Sequence, residues 1–304
     1  MAIWGVDVSH YQGNVDWSAV RAGGASFAFC KASEGTTTVD PRFADNWQAL
    51  EAAGLMRGAY HFGHPGFDAD TQAVHFHSVV GALKPGDLPP VLDIETSDGH
   101  PVSVVVPWVL NFVARAESLF GRKLVIYTGG FWKSTLGDPV VPELSAHPLW
   151  LANYGQSPVL PRAWSAWTFW QYTNGQIGDP GPVPGVTGLC DRSRFAGDVA
   201  ALRGLTTQVP QPSSVAQPAP GASAAAVSTG SWPGCYLVCP CSAPVPAEAV
   251  RSWQRRMNTL GFPLVVDDNY GPACKTACLA FQRDRGLNAD GIVGPTTWSA
   301  AFAP

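Results

Sequence analysis

In the run Val91-Leu92-Asp93-Ile94-Glu95 two acids stand two residues apart. On a strand, residues i and i+2 point to the same face, so Asp93 and Glu95 would enter one cavity. Neighbouring negative charge and partial desolvation raise a carboxyl pKa, which keeps one acid protonated as a proton donor. Two acids with split pKa values are the usual equipment for cleaving a glycosidic bond. The tripeptide alone is common, and a strand end with solvated charges would look the same. Asp7 and Asp191, expected at the same mouth, favour chemistry, because clustered like charges are costly without a task.

Such a cluster needs strands that end together. Short apolar runs at 3–8, 26–31, 57–62, 90–94, 123–127, 149–152 and 167–171, with a short one before Asp191, alternate with amphipathic stretches at 17–22, 41–53, 69–83 and 103–120. This is the pattern of βα units around a parallel sheet. The last three strands leave little room for helices, so the expected fold class is α/β: a modified eight-stranded barrel with its late helices trimmed. A doubly wound open sheet is the alternative.

A barrel sets functional side chains at the C-terminal ends of its strands. Asp7 ends the first, Glu34 follows the second, and Tyr60 and Phe62 close the third. Asp93 and Glu95 end the fourth, Tyr127 the fifth, Asn153 and Tyr154 the sixth, Gln171 and Tyr172 the seventh, and Asp191 follows the eighth. The segment around Trp150, Trp164, Trp167 and Trp170 offers faces for sugar rings. About half of these aromatics are expected in the core, since strand side chains alternate.

Composition narrows the partners. A net charge of −4 and a pI near 5.9 argue against nucleic acid. No run of eighteen apolar residues is present, so no membrane insertion is expected. The opening Met-Ala-Ile-Trp-Gly-Val-Asp lacks a basic and an apolar signal region, so synthesis and residence in a cytoplasm are expected. His61 with His64 and His75 with His77 lack a third ligand at matching spacing, so no metal is expected. No G-x-S-x-G elbow supplies a serine nucleophile, and no cofactor is implied.

Residues 206–230 hold no charged or aromatic residue and four prolines, the composition of a solvated linker. It would span roughly 28 Å as a coil and up to about 80 Å in polyproline form. It separates a first domain over 1–205 from a second over 231–304. The second echoes itself: Trp253-Gln254-Arg255 returns as Phe281-Gln282-Arg283, and Asp267-x-x-x-Gly271-Pro272 as Asp290-x-x-x-Gly294-Pro295. A small all-α three-helix module with a binding rather than a catalytic role is expected. Of seven cysteines, Cys30 and Cys190 read as buried thiols, whereas Cys235, Cys239, Cys241, Cys274 and Cys278 cluster late. Two disulfides with one free thiol, or a zinc site lacking the usual C-x2-C spacing, both stay open.

Together these segments resemble a known family. Gly5-Val-Asp7-Val-Ser9-x-Tyr11-Gln-Gly13, Phe29-x-Lys31-Ala-Ser-Glu34-Gly35, Gly58-Ala-Tyr60-His61-Phe62, Leu92-Asp93-x-Glu95, Trp150-Leu-Ala152-x-Tyr154, Trp170-Gln171-Tyr172 and Gly188-x-Cys190-Asp191 resemble glycoside hydrolase family 25, the Chalaropsis-type lysozymes. The likeness spans nearly all of residues 3–200. It implies a (β/α)5(β)3 barrel that hydrolyses the β-1,4 bond between N-acetylmuramic acid and N-acetylglucosamine. Glu95 would be the general acid/base. Asp93 would orient the substrate's acetamido group, whose carbonyl can act as internal nucleophile, and Asp7 and Asp191 would hold the pocket's charge. An inverting route with Asp93 or Asp191 as base is the alternative. At Cys190-Asp191-Arg192 the sequence departs from the family's usual apolar residue, Asp and Leu.

The C-terminal module resembles a peptidoglycan-binding domain in Val250-Arg-x-Trp253-Gln254, Phe281-Gln282-x-x-x-Gly286-Leu287 and Asp290-Gly291-x-Val293-Gly294-Pro295-x-Thr297-Trp298. The resemblance implies bacterial peptidoglycan as partner and an endolysin-like, monomeric enzyme kept in the host cytoplasm until lysis. The rivals are a wall-binding protein without turnover and a glycosidase for another N-acetylated polymer.

Overall fold

The computed structural model describes residues 3–178, 181–206, 237, 247–287, 289 and 291–302. The chain divides into two compact units, Met1–Val215 and Ala216–Pro304. The expected linker beyond Thr206 lies outside the described residues, as do Cys235, Cys239, Cys241 and Asp290.

The first unit is a closed barrel. Its strands are β1 (Trp4–Val8), β2 (Phe27–Glu34), β4 (Met56–Phe62), β5 (Val91–Asp93), β6 (Val125–Thr128), β7 (Leu149–Ala152), β8 (Phe169–Thr173) and β9 (Asp191–Phe195), and the two-residue β3 (Thr38–Val39) hangs on β2. β1 pairs with both β2 and β9, which closes the ring and removes the open-sheet alternative. Seven strands run parallel, and β9 runs antiparallel to both its neighbours. The expected eighth strand before Asp191 is therefore corrected: Asp191 begins that strand. Among the described residues no helix lies between β8 and β9 to carry the chain back to the bottom, so the last strand descends.

Strand alternation divides the side chains into two layers. Inward-facing Phe27, Phe29, Val91, Val125, Trp150, Phe169 and Phe195 fill the barrel. Two glycines make room for these rings. A Cβ on Gly5 would lie 2.5 Å from the Phe27 ring, and one on Gly58 would lie 2.3 Å from that of Phe29. Outward-facing Leu92, Ile126, Leu151 and Trp170 join an outer core with α1 (Trp17–Ala22), α2 (Phe43–Ala52), α3 (Ala69–Val80) and α4 (Val102–Phe120). Each fully buried large apolar side chain contributes about 1.5–3 kcal/mol.

By length and mean hydropathy, 19 residues at 1.3, α4 is long and apolar enough to cross a bilayer, which the search for unbroken apolar runs missed. In this fold its Val105, Trp108, Val109, Phe112, Val113 and Ala116 are buried in the outer core. A further helix, α5 (Val199–Thr206), was not expected from the sequence. The descending β9 delivers the chain to the barrel's lower end, where Leu202 and Leu205 of α5 join the inner core.

The second unit is helical, with α6 (Ala247–Thr259), α7 (Pro272–Asp284) and α8 (Pro295–Phe302) around Trp253, Phe281 and Trp298. The internal echo has a physical basis. Gln254 Nε2 donates to Asp267 Oδ1 (2.6 Å) and Asn269 O (3.0 Å), while its Oε1 accepts from the amides of Asp267 and Asp268. Gln282 repeats the clamp, accepting from Gly291 N at 2.8 Å and donating to Ile292 O at 3.0 Å. Cys274 and Cys278, four residues apart and so on one face of α7, are both buried.

Candidate active site

The C-terminal ends of the parallel strands, with the start of β9, surround a pit of about 300 Å³ lined by Asp7, Tyr60, Asp93, Glu95, Tyr127, Trp150 and Asp191. Asp7 and Asp191 are register partners on adjacent antiparallel strands, so their side chains emerge side by side. Asp93 pairs in register with Tyr127, and Glu95, two residues on, shares its face.

The four carboxyls form two pairs. Asp7 stands with Asp191 and Asp93 with Glu95, each acid raising the proton affinity of Asp7 or Asp93 beside it. Burial, then the charge of the paired acid, holds Asp7 and Asp93 well above the ordinary carboxylate range. Burial and the Asp191 charge raise Glu95, and burial raises Asp191. Opposing this on the Asp93–Glu95 pair is the positive charge of Lys31. One Asp93 oxygen, Oδ1, is buried without a hydrogen-bond partner.

Gln171 is the hub. Its Nε2 donates to Asp7 Oδ1 and Oδ2 (3.0 and 3.1 Å) and to Asp191 Oδ2 (3.3 Å). Its Oε1 accepts from Tyr127 Oη (2.9 Å) and Tyr154 Oη (3.3 Å). Carboxylate oxygens only accept, so the acids call for the amide's NH2 end and leave its oxygen to the two hydroxyls. Trp150 is the floor rather than an open platform: it is 2% exposed, stacks on Phe29 at 4.4 Å and donates to Ser193 Oγ at 2.9 Å.

Other expected residues lie around the pit. Phe62 packs beside Lys31, whose Nζ is 5.1 Å from the ring centroid, and Glu34 pairs with Lys31 and His64. Tyr154 stands half-exposed at the rim. Two point elsewhere. Asn153 Oδ1 accepts from Val159 N and orders its own loop. Tyr172 alternates with Gln171, so its ring faces outward beneath Arg194, 4.5 Å from the centroid. Trp164 and Trp170 are likewise outer core. Arg192, the departure after Asp191, also faces outward, 5.7 Å from the Tyr172 ring.

His61 is structural. It lies between Ser33 Oγ (2.9 Å) and Gln72 Oε1 (3.1 Å), and burial pushes its imidazole down to about 3. Burial raises both the Cys30 and Cys190 thiols. Lys31, Asp98 and Ser193 are not among the site residues read from the sequence, where His64 is considered only as a metal ligand. The inward parity of 27, 29 and 31 on β2 was the signal for Lys31.

The comparisons with known proteins agree with this geometry. The family model "Glycosyl hydrolases family 25" matches residues 6–179, and a peptidoglycan-binding domain model matches residues 246–301. Lysozyme M1 of Streptomyces globisporus is 38% identical over 213 residues, covering 67% of this chain and 71% of that protein. The N,O-diacetylmuramidase of Chalaropsis sp is 32% identical, over 56% of this chain and 87% of its own. The crystal structure of a bacterial lysozyme from Streptomyces coelicolor superposes with a TM-score of 0.63 at 37% identity, covering 68% of this chain and 97% of that one. With a closed barrel of this topology, an acidic pit at its mouth and a match over more than half its length, the chain belongs to the glycosyl hydrolases of family 25.

Proposed function

We propose that the chain is an N-acetylmuramidase that cleaves the β-1,4 bond between N-acetylmuramic acid and N-acetylglucosamine in bacterial peptidoglycan. The observation that carries this proposal is the acid quartet with one buried, unpartnered acceptor, Asp93 Oδ1. A buried acceptor left unpaired costs about 1–3 kcal/mol, which a substrate N–H placed against it recovers. The acetamido N–H of an N-acetylated sugar is such a donor.

Proton placement follows from the pair. Two acids in contact share a proton that belongs to both. When the acetamido N–H donates to Asp93, it favours the charged form of Asp93, and the proton passes to Glu95. Glu95 then donates it to the glycosidic oxygen as that bond breaks. The acetamido carbonyl oxygen bonds to the anomeric carbon, and its N–H, held by Asp93, loses positive charge to that carboxylate. Water, giving a proton back to Glu95, opens the ring intermediate with net retention.

A catalytic unit that runs through α5 to Thr206, a tether after it and a wall-binding unit beyond would keep the barrel close to its polymer and raise its effective concentration. This pairing suits a monomeric endolysin released from a host cytoplasm onto the wall. Digestion of purified peptidoglycan, with identification of the new reducing ends, tests the assignment. Reducing muramic acid is expected. Reducing N-acetylglucosamine would make it a glucosaminidase, equal cleavage of chitin a broader glycosidase, and wall binding without new ends a non-catalytic binder.

A further inference from the structure

Beside the pit runs a ring of charged groups that the four-acid mechanism does not use. Lys31 points inward from β2, and its Nζ donates to Glu34 Oε2 at 2.5 Å. The other Glu34 oxygen, Oε1, lies 3.1 Å from His64 Nε2. His64 Nδ1 lies 3.0 Å from Asp98 Oδ1. Asp98 also accepts from Gly66 N (2.9 Å) and from Thr96 Oγ1 (3.1 Å), and Thr96 directly follows Glu95. The ring thus joins β2, the loop after β4 and the loop after β5, and it ends on the backbone that carries Glu95.

Carboxylates facing both ring nitrogens call for the doubly protonated imidazolium, because the neutral ring has one donor only. Against partial burial, the hydrogen bonds His64 gives to Asp98 and Glu34 raise it, while those Glu34 accepts from Lys31 and His64 hold Glu34 low. The ring is held from outside as well. Buried Gln72 donates to His64 O (2.7 Å) and accepts from His64 N (3.0 Å), and Trp108 Nε1 donates to Phe67 O (2.7 Å). Asp98 sits at φ 47°, a left-handed conformation uncommon for residues other than glycine, which persists where surrounding contacts enforce it.

Lys31 is therefore fixed by Glu34 from its own strand and by Phe62 from β4, with His64 behind Glu34. Phe62 pairs in register with Asp93, which places the cation next to β5, where its charge acts on Asp93 and Glu95; Asp7 and Asp191 line the same pit. Two acids in contact can hold one negative charge between them, and burial penalises even that one, a cost that a nearby cation offsets. We propose that Lys31, clamped by the Glu34–His64–Asp98 ring, is a positioning residue that keeps one negative charge on the Asp93–Glu95 pair. This inference rests on the proposed hydrolysis, since that charge is what receives the acetamido N–H.

The test combines carbon-detected NMR titration of the side-chain carboxyls with the pH profile of kcat/KM, on wild type, Lys31→Met, Lys31→Arg and His64→Gln. Removing the cation favours the protonated acids. In Lys31→Met the pair should titrate about one pH unit higher, both limbs of the rate profile should move up with it, and kcat should fall at least about tenfold at the wild-type optimum. Lys31→Arg should restore the profile, and His64→Gln should shift it in the same direction by less. An unmoved titration in Lys31→Met, or a loss confined to KM, overturns the proposal. If Lys31→Met does not fold, His64→Gln decides, and an unmoved titration there overturns it equally. Wild type without turnover would refute the hydrolysis instead, and the NMR titration would still decide the role of Lys31.

Discussion

The amide of Gln171 donates to two acids of the quartet, so replacing it with an isosteric acid is a sharp perturbation. In Gln171→Glu, the atom that donates to Asp7 at 3.0 and 3.1 Å and to Asp191 at 3.3 Å becomes a carboxyl oxygen. At about 3 Å and an effective dielectric constant near 20, two unit charges repel by about 5 kcal/mol. The folded protein avoids that repulsion by taking up one more proton, whichever of the three carboxyls holds it. The sign follows: a carboxyl with a raised folded pKa costs nothing below its ordinary value and destabilises increasingly as pH rises above it. Each pH unit costs about 1.4 kcal/mol, so the penalty should grow from near zero at pH 4 to about 4 kcal/mol at pH 7. For a unit of this size that is a Tm difference of about 10 °C. Near-UV circular dichroism melts of wild type and variant from pH 4 to 8, at fixed ionic strength, measure the gap. A gap constant with pH, or one that narrows as pH rises, would refute this account of the quartet.

Two further outcomes follow from the same structure. Asp93→Asn removes an acid that burial holds far above its ordinary value, so it should raise Tm at pH 7 by about 2–6 °C, with no gain near pH 4, while hydrolysis falls steeply. An unchanged or lower Tm at pH 7 would contradict the burial cost. In the second unit, Gln254→Leu removes the clamp on 267–269. Calorimetry should show that unit's transition lowered by about 1–3 kcal/mol, with weaker wall binding and unchanged turnover on soluble muropeptides. Loss of that turnover would count against independent units.

Strand parity made much of this site legible in the sequence. Asp93, Tyr127 and Gln171 fall on inward positions at strand ends as alternation requires, and Glu95 joins them from the loop just beyond β5. The same rule applied to each residue would have turned Tyr172 outward, one step from Gln171, and Lys31 inward, two steps from Phe29. Trp150 was legible as aromatic and inward, but its depth was not, because burial depends on Phe29 and Ser193 from strands far apart in sequence. The direction of β9 could not be read, since parallel and antiparallel strands share one apolar alternation. With that direction went α5, which exists to close the end that β9 reaches. The His64–Asp98 contact joins two loops 34 residues apart, and no local pattern announces such a pair.

The most direct measurement of the central claim compares wild type with Glu95→Gln on the same purified peptidoglycan, with wall binding and Tm measured in parallel. If Glu95 is the proton donor, the variant should bind the wall and melt at or above the wild-type temperature. It should also release reducing muramic acid at least about 1,000-fold more slowly, the upper part of what positioned proton transfer contributes. A folded, wall-binding Glu95→Gln protein that still releases muramic acid ends at near wild-type rate would contradict the account.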